Sequence, residues 1–121
     1  MKYRILVTDE AVSDMVSLIR YVQNDLHNPD AAQSLLEGLQ REIMNLEHFP
    51  MKNAESGITY RDYIIHKKVY QSYLLFYIIN SKEKTVSILR VLKDIMDWPG
   101  VLRETKIYHF SNYKVNKTNK R

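Results

Sequence analysis

The chain has 121 residues, 45% of them hydrophobic, which is enough for one domain with its own core. It contains no cysteine, and this excludes thiol catalysis, disulfide bonds and thiolate metal sites. The net charge of +4 is unevenly divided, because residues 1–50 carry −4 and residues 51–121 carry +8. This division favours a polyanion facing the C-terminal half, although a basic balance is equally common in small proteins without such a partner.

A strand and two helices are predicted for the N-terminal half. Residues 2–7 are β-formers, and Thr8 follows as an N-cap with acidic residues in the first helical turn. The first helix is expected to run to about Leu26, with apolar residues at three- and four-residue spacing. Asn28-Pro29 stops it and starts a second helix over residues 30–47, so the two helices should pack as an antiparallel hairpin.

Three strands are predicted after this helical hairpin. Residues 51–59 are polar and are interpreted as a mobile connector, and a strand follows over residues 60–67. Two apolar runs within residues 70–93 flank four polar residues, which is typical of a β-hairpin. The run from Leu74 to Ile79 has no polar member, so its strand should be buried on both faces and central in the sheet.

Arg90 interrupts the last of these strands. Alternation along the strand puts it on one face with Val86, Ile88 and Leu92. A charge in such a position needs a partner, a ligand or water. A target contact and a salt bridge to Asp62, Asp94 or Asp97 are equally compatible with the sequence.

The C-terminal part is expected to contain a short helix and a tail. Trp98 and Leu102 should dock a turn or helix on the core, closing a single domain over residues 1–105. Residues 106–121 hold five Lys or Arg and no acidic residue, and are expected to be partly disordered, above all residues 114–121. No signal peptide and no apolar run of about 20 residues is seen, so a cytoplasmic protein is expected.

The order and spacing of several short motifs resemble the RelE/ParE superfamily of toxins from type II toxin-antitoxin systems. The motifs cover about residues 3–103. In chain order they are Ala11 with Asp14-Met15 and Ile19-Arg20-Tyr21; Asn28-Pro29-Asp30-Ala31-Ala32; Leu46-Glu47-His48-Phe49-Pro50; Tyr60-Arg61; Ser72-Tyr73-Leu74-Leu75-Phe76-Tyr77; and Val86-Ser87-Ile88-Leu89-Arg90-Val91-Leu92. Each motif alone is common, and their shared order carries the resemblance.

The resemblance implies an α+β fold of order β-α-α-β-β-β, in which the helical hairpin packs on a small twisted antiparallel sheet. It also implies a cognate antitoxin that wraps the toxin, a higher-order toxin-antitoxin complex, and no cofactor or metal. The target is not implied. ParE-like members inhibit DNA gyrase by binding it, whereas RelE-like members are ribosome-dependent endoribonucleases that cut mRNA.

The residues at the nuclease positions favour the ParE-like interpretation. RNA cleavage needs a proton acceptor, a proton donor and cations for the phosphorane. At two positions where the RelE pattern has arginine, this chain has Leu74 and Asp94. Arg90, Lys93, Arg61 and His66 remain as candidate catalytic or target-contacting residues on one basic surface. A RelE-like nuclease and an inactive toxin-derived binding module are the alternatives.

Overall fold

The computed structural model describes residues 2–111, which form one five-stranded sheet with helices on both of its faces. The elements are β1 Arg4–Val7, α1 Asp9–Arg20, α2 Pro29–Asn45, β2 Ala54–Tyr60, β3 Tyr63–Tyr70, β4 Tyr73–Asn80, β5 Thr85–Lys93 and α3 Trp98–Glu104. The predicted α+β class is confirmed, as are the helical hairpin, the β4–β5 hairpin and the short C-terminal helix. The predicted disorder of residues 114–121 falls outside the described residues.

The sheet is mixed rather than antiparallel. Its strand order is β1-β5-β4-β3-β2, and β1 runs parallel to β5 while the other neighbours are antiparallel. β1 is joined through the helical hairpin to β2 at the opposite edge and not to β5, so no tight turn links the parallel pair. β4 is central, as its apolar sequence predicted, and it is buried from Tyr73 to Ile78.

The helical hairpin begins and ends where its caps predict. Thr8 accepts the N–H of Ala11 at 3.0 Å, and Asn28 accepts the N–H of Ala31 at 3.1 Å. α1 is extended by one π-helical turn over Tyr21–Asp25 before the chain reverses. The apolar stripes of both helices then pack on one face of the sheet.

Each face of the sheet carries its own apolar cluster. On the helix face, α1 and α2 cover a cluster that includes Leu75, Tyr77 and Ile88. On the opposite face, called the α3 face here, α3 and Tyr108 cover a second cluster built around Phe76. The residues of this second cluster are Ile58, Ile65, Leu74, Phe76, Ile78, Leu89, Leu92, Leu102 and Tyr108.

Residues 54–60 form an edge strand, where the sequence predicted a mobile connector. β2 pairs with β3 through a register shift between Glu55 and Thr59, and Gly57 there has φ +87°. A polar sequence is tolerated because an edge strand makes a single hydrogen-bond ladder and faces water. The strand predicted over residues 60–67 is consequently two strands, which meet at a turn formed by Arg61 and Asp62.

A β-bulge changes the alternation of β5. Phe76 pairs with Arg90 while Tyr77 pairs with Ile88, so Leu89 is the extra residue. As a result Ile88 lies in the helix-face cluster and Leu92 in the α3-face cluster. The expectation that both share one face with Arg90 is therefore wrong, because strict alternation does not survive the bulge.

Among residues 2–111, every helix is too short or too polar to cross a lipid bilayer.

Candidate functional site

Arg90 stands at an edge of β5 that β1 leaves uncovered. β1 is paired with β5 only as far as Val7 and Ile88, and there the chain turns into α1. Thr8 fixes this turn, because it is fully buried and its hydroxyl donates to the carbonyl of Leu89 at 2.9 Å. α1 therefore runs beside the free edge of β5 at the level of Arg90.

Asp14 on α1 is the ion-pair partner of Arg90. Its carboxylate accepts from Nε of Arg90 at 2.7 Å and from Nη2 at 2.8 Å, a bidentate arrangement. The same carboxylate accepts the N–H of Val91 at 3.0 Å, which β1 does not reach. Hydrogen bonding to Asp14 raises the pKa of Arg90 above its ordinary value. Asp14 thus closes the β5 edge and orients the arginine.

The ion pair is largely enclosed by the C-terminal part of the chain. The side chains of Arg90 and Asp14 are 19% and 12% exposed. Nη1 of Arg90 donates to the hydroxyl of Thr105 at 3.1 Å. The sequence offered Asp62, Asp94 and Asp97 as salt-bridge partners. The observed partner comes from α1 instead, because β5 and α1 are neighbours in space although 76 residues separate Asp14 and Arg90.

His66 lies on the helix face. It is paired with Tyr77 on β4, and its ring stacks on that tyrosine at a centroid distance of 5.3 Å. Its Nδ1 is 3.3 Å from the carbonyl oxygen of Asn53. Tyr77 donates to the carbonyl of Pro50 at 2.6 Å, and burial raises its pKa to about 12. His66 therefore sits in a structural network joining β3, β4 and the segment before β2.

The remaining two candidates lie apart from Arg90. Lys93 pairs with Tyr73, which belongs to the helix-face cluster, and its Nζ lies 5.5 Å from that ring. Arg61 is exposed in the β2–β3 turn, with its guanidinium 5.1 Å from the centroid of Tyr60. The sequence predicted one basic surface for these side chains, whereas the strand pairing distributes Lys93, His66, Arg61 and Arg90 over both faces and a turn.

The two positions at which the nuclease pattern has arginine hold residues without a positive charge, Leu74 and Asp94. Leu74 is 5% exposed and packs in the α3-face cluster. Asp94 is exposed just after β5, where its N–H donates to the carbonyl of Ser72 at 2.9 Å. Leu74 and Asp94 therefore add no positive charge. His66 and Arg90 lie on different faces of the sheet, so the candidate proton acceptor and the candidate cation do not meet at one site.

The segment from Thr105 to Ser111, called the C-terminal segment here, crosses the α3 face. Tyr108 packs edge-on against Tyr60 of β2 at a centroid distance of 4.9 Å, is 7% exposed, and its hydroxyl has no hydrogen-bond partner among the described residues. Burial raises the pKa of Tyr108. The segment thus runs from the β2 edge towards the start of α1.

Acidic residues at the start of α1 hold the far end of this segment. The N–H of Asp9 donates to the carbonyl of His109 at 2.8 Å. Glu10 accepts from the N–H of His109 at 2.9 Å, and its other oxygen lies 2.6 Å from Nδ1. Ser111 donates its N–H and its hydroxyl to Asp9 at 3.0 and 2.9 Å. The first-turn carboxylates therefore anchor the C-terminal segment, a role that the sequence did not indicate.

Besides the role of Asp9 and Glu10, the sequence did not indicate the roles of Asp14, Thr105 and Tyr108. Asp14 occurred in the sequence only as part of a helix motif, and a carboxylate in the middle of an amphipathic helix ordinarily faces solvent. An unpaired arginine in an apolar strand was the available signal that a carboxylate had to be near. No group of three or more His, Asp or Glu side chains in the described part of the chain is arranged to hold a metal ion.

The amino-acid sequence matches a known protein family. The family model for the ParE toxin of type II toxin-antitoxin system, parDE, matches residues 5–98. No curated protein sequence matches the chain.

Solved structures of toxins share the fold. A chain of the chromosomal ParDE toxin-antitoxin system from P. aeruginosa superposes with a TM-score of 0.63 at 14% identity, covering 76% of this chain and 96% of that chain. The E. coli toxin RelE, in a mutant form in the free state, gives 0.55 at 19% identity, covering 86% and 94%. The archaeal RelE-RelB complex from Pyrococcus horikoshii gives 0.51 at 24% identity, covering 78% and 98%. At these identities the likeness concerns the fold.

Proposed function

This chain belongs to the ParE toxin family of type II toxin-antitoxin systems, and we propose that it arrests growth by binding DNA gyrase. An antitoxin neutralises it in a higher-order complex in the bacterial cytoplasm. The observation that carries the choice of gyrase over the ribosome is the separation of His66 from Arg90 on the two faces of the sheet, together with a buried leucine at position 74.

A binding mechanism needs exposed groups on a rigid scaffold, and the sheet supplies both. In this proposal Arg61 and Lys93 contact the target at two separate places, because Arg61 precedes β3 whereas Lys93 pairs with Tyr73 beside the other end of β3. Arg61 is exposed and Lys93 is half-buried. Arg90 holds α1 against β5 through its ion pair with Asp14. His66 supports the sheet through its stacking on Tyr77.

The proposed antitoxin partner is supported by the relatives. The family and the similar P. aeruginosa and P. horikoshii structures are toxin-antitoxin systems or complexes. Charge complementarity favours an acidic antitoxin segment, since residues 51–121 carry +8.

Two assays on the purified full chain separate gyrase inhibition from RNA cleavage. We expect loss of gyrase supercoiling activity with stoichiometric toxin, and intact mRNA in a translating ribosome assay. Arg61→Asn and Lys93→Ala should weaken gyrase inhibition, whereas Lys82→Ala, an equal loss of charge in the exposed β4–β5 loop, should not. Codon-positioned mRNA cuts with normal supercoiling would instead establish a RelE-like nuclease, and no effect in either assay would establish an inactive binding module.

A further inference from the structure

The C-terminal segment is held on the domain by few contacts. Tyr108 is 7% exposed, whereas residues 106, 107 and 109–111 are all exposed. None of residues 105–111 lies in a helix or a strand, so their N–H groups do not belong to a cooperative hydrogen-bond ladder. The segment therefore depends on one buried side chain and on a small set of polar contacts at its far end.

The polar contacts at the far end are all made to two acidic residues in the first turn of α1. Asp9 binds the carbonyl of His109 with its N–H and Ser111 with its carboxylate, while Glu10 binds His109. The side chains of His109 and Glu10 are 65% and 22% exposed. Water competes for hydrogen bonds at such positions, and exposed ion pairs contribute little to stability. These contacts fix the place of the segment without making it hard to detach.

The buried anchor of the segment carries an unfavourable group. The hydroxyl of Tyr108 has no hydrogen-bond partner among residues 2–111. The nearby hydroxyl of Thr105 is already engaged, because it donates to the carbonyl of Val101 at 2.7 Å and accepts from Arg90 at 3.1 Å. A buried hydroxyl without a partner costs free energy that exposure to water recovers. Docking of the segment is therefore weaker than burial of the tyrosine ring alone would make it.

Detaching the segment would uncover Arg90. Thr105 stays with α3, since its N–H and its hydroxyl both donate to the carbonyl of Val101, and the chain can pivot after it without disturbing that helix. Burial raises the pKa of Tyr108, and the charge of Arg90 is close enough to oppose this rise. Removal of Tyr108 thus opens one side of a guanidinium that Asp14 holds in place and that is 19% exposed in the docked form.

We propose that the C-terminal segment is a releasable strap, and that its detachment after Thr105 exposes Arg90 and the α3 face for contact with the target of the toxin. In the docked form Arg90 is enclosed and serves the fold. In the detached form the same guanidinium, still oriented by Asp14, is available to a partner. The role of the strap rests on the proposed function for the identity of the target, gyrase, whereas the opening itself does not depend on gyrase.

Amide exchange measured by NMR tests whether the strap opens as a unit. The reporters are the N–H groups of Asp9, His109 and Ser111, each of which makes a hydrogen bond between the segment and α1. After correction for intrinsic rates, we expect these three to exchange at one common rate, at least about 100-fold faster than the N–H of Val91, which Asp14 holds on β5. Exchange of all four at the same rate would mean that the strap leaves only when the domain unfolds, and would overturn the proposal.

Two substitutions should change the opening in opposite directions. Tyr108→Phe keeps the ring and removes the unpaired hydroxyl, so it should slow the three reporter amides about 5-fold or more. Glu10→Gln removes the charge that His109 contacts and should accelerate them about 2- to 5-fold. Lys82→Ala, in the exposed β4–β5 loop, is the control and should change neither rate. Unchanged or faster exchange in Tyr108→Phe would overturn the proposal, since the hydroxyl would then not weaken docking.

A disulfide that fixes the strap tests its role in the toxin. The chain has no cysteine, so Asp9→Cys with Ser111→Cys introduces a single pair, at two side chains that contact each other at 2.9 Å. The oxidised double variant should inhibit gyrase supercoiling at least about 10-fold more weakly than the same protein after reduction, because the binding-competent form is then depleted. The original chain, with and without the reductant, is the control.

Equal inhibition by the oxidised and reduced forms would overturn the role of the strap. If the original chain does not inhibit gyrase, the proposed function fails, and the exchange rates decide whether the strap opens. Circular dichroism of each variant should match that of the original chain, which separates an effect on the strap from loss of fold.

Discussion

The Arg90–Asp14 pair provides the sharpest test of how this fold holds its sheet edge. The perturbation is Asp14→Ala, Arg90→Ala and the two together. Asp14→Ala removes two hydrogen bonds from the guanidinium and one from the N–H of Val91. Arg90→Ala removes the guanidinium but leaves Asp14 its contact with the Val91 N–H. Both variants leave a charged group enclosed without its partner.

The expected magnitude follows from the burial of the pair. Removing one member of a fully buried ion pair costs about 3–5 kcal/mol. The side chains of Arg90 and Asp14 keep 19% and 12% exposure, and solvent screening reduces the cost accordingly. We expect each single substitution to lower the free energy of unfolding by about 2–3 kcal/mol. The double variant should lose less than the sum, with a coupling energy of about 1.5–2.5 kcal/mol.

Urea unfolding followed by circular dichroism measures these free energies. The control is the exposed pair between Lys2 and Glu47, whose atoms are 3.8 Å apart and whose lysine is 67% exposed. A double-mutant cycle on this control should give a coupling of about 0.5 kcal/mol or less. Additive losses at Arg90 and Asp14, within about 0.5 kcal/mol, would refute the assignment of Asp14 as the partner that fixes Arg90.

Arg90→Lys links this pair to the proposed toxicity. Lysine keeps the positive charge but cannot make the bidentate contact. We expect the folded lysine variant to bind the antitoxin and to arrest growth less than the original chain, because the surface set by α1 and β5 is loosened. Growth arrest equal to that of the original chain would show that the bidentate geometry is not required.

Three further outcomes follow from single contacts. A Cβ added at Gly38 would overlap the hydroxyl oxygen of Tyr70, so Gly38→Ala should destabilise the chain by about 1–3 kcal/mol. In a Tyr70→Ala background the same substitution should stabilise the chain by up to about 1 kcal/mol, because alanine favours a helix more than glycine does. A loss of stability in both backgrounds would contradict this reason. Thr8→Ala should cost about 2–3 kcal/mol in urea unfolding, because it removes the α1 cap and the buried bond that holds β5; a loss below about 0.5 kcal/mol would count against it. The contact of His109 with Glu10 should weaken as pH rises, because the hydrogen bond to Glu10 raises the pKa of His109 above the ordinary 6.5. Burial raises the pKa of Glu10, but the contacts with His109 lower it by more, so the pKa of Glu10 lies below 4.5. The contact is therefore complete between these two pKa values, and amide exchange at His109, corrected for its intrinsic pH dependence, should accelerate above the His109 pKa and not in His109→Ala.

The sequence predicted those elements whose cause is local. Caps at Thr8 and Asn28, apolar stripes and the uninterrupted β4 run act over one to four residues, so the helices and the central hairpin could be recognised. β2 was missed because its polar residues carry no apolar alternation, and it is a strand only because the edge of β3 is available to pair with it. The bulge at Leu89 was missed because it depends on how β5 pairs with β4, which no short-range pattern specifies.

For the candidate site, the sequence supplied the residue types and the tertiary structure decided their neighbours. A charge inside an apolar strand indicated that Arg90 needed a partner, yet nothing local identified Asp14, because the contact exists only after α1 folds beside β5. The same holds for the contact of Glu10 with His109. Short-range backbone preferences and side-chain periodicity are written in the sequence, whereas pairings between distant charges depend on how the sheet order and the helix crossing bring separate segments together.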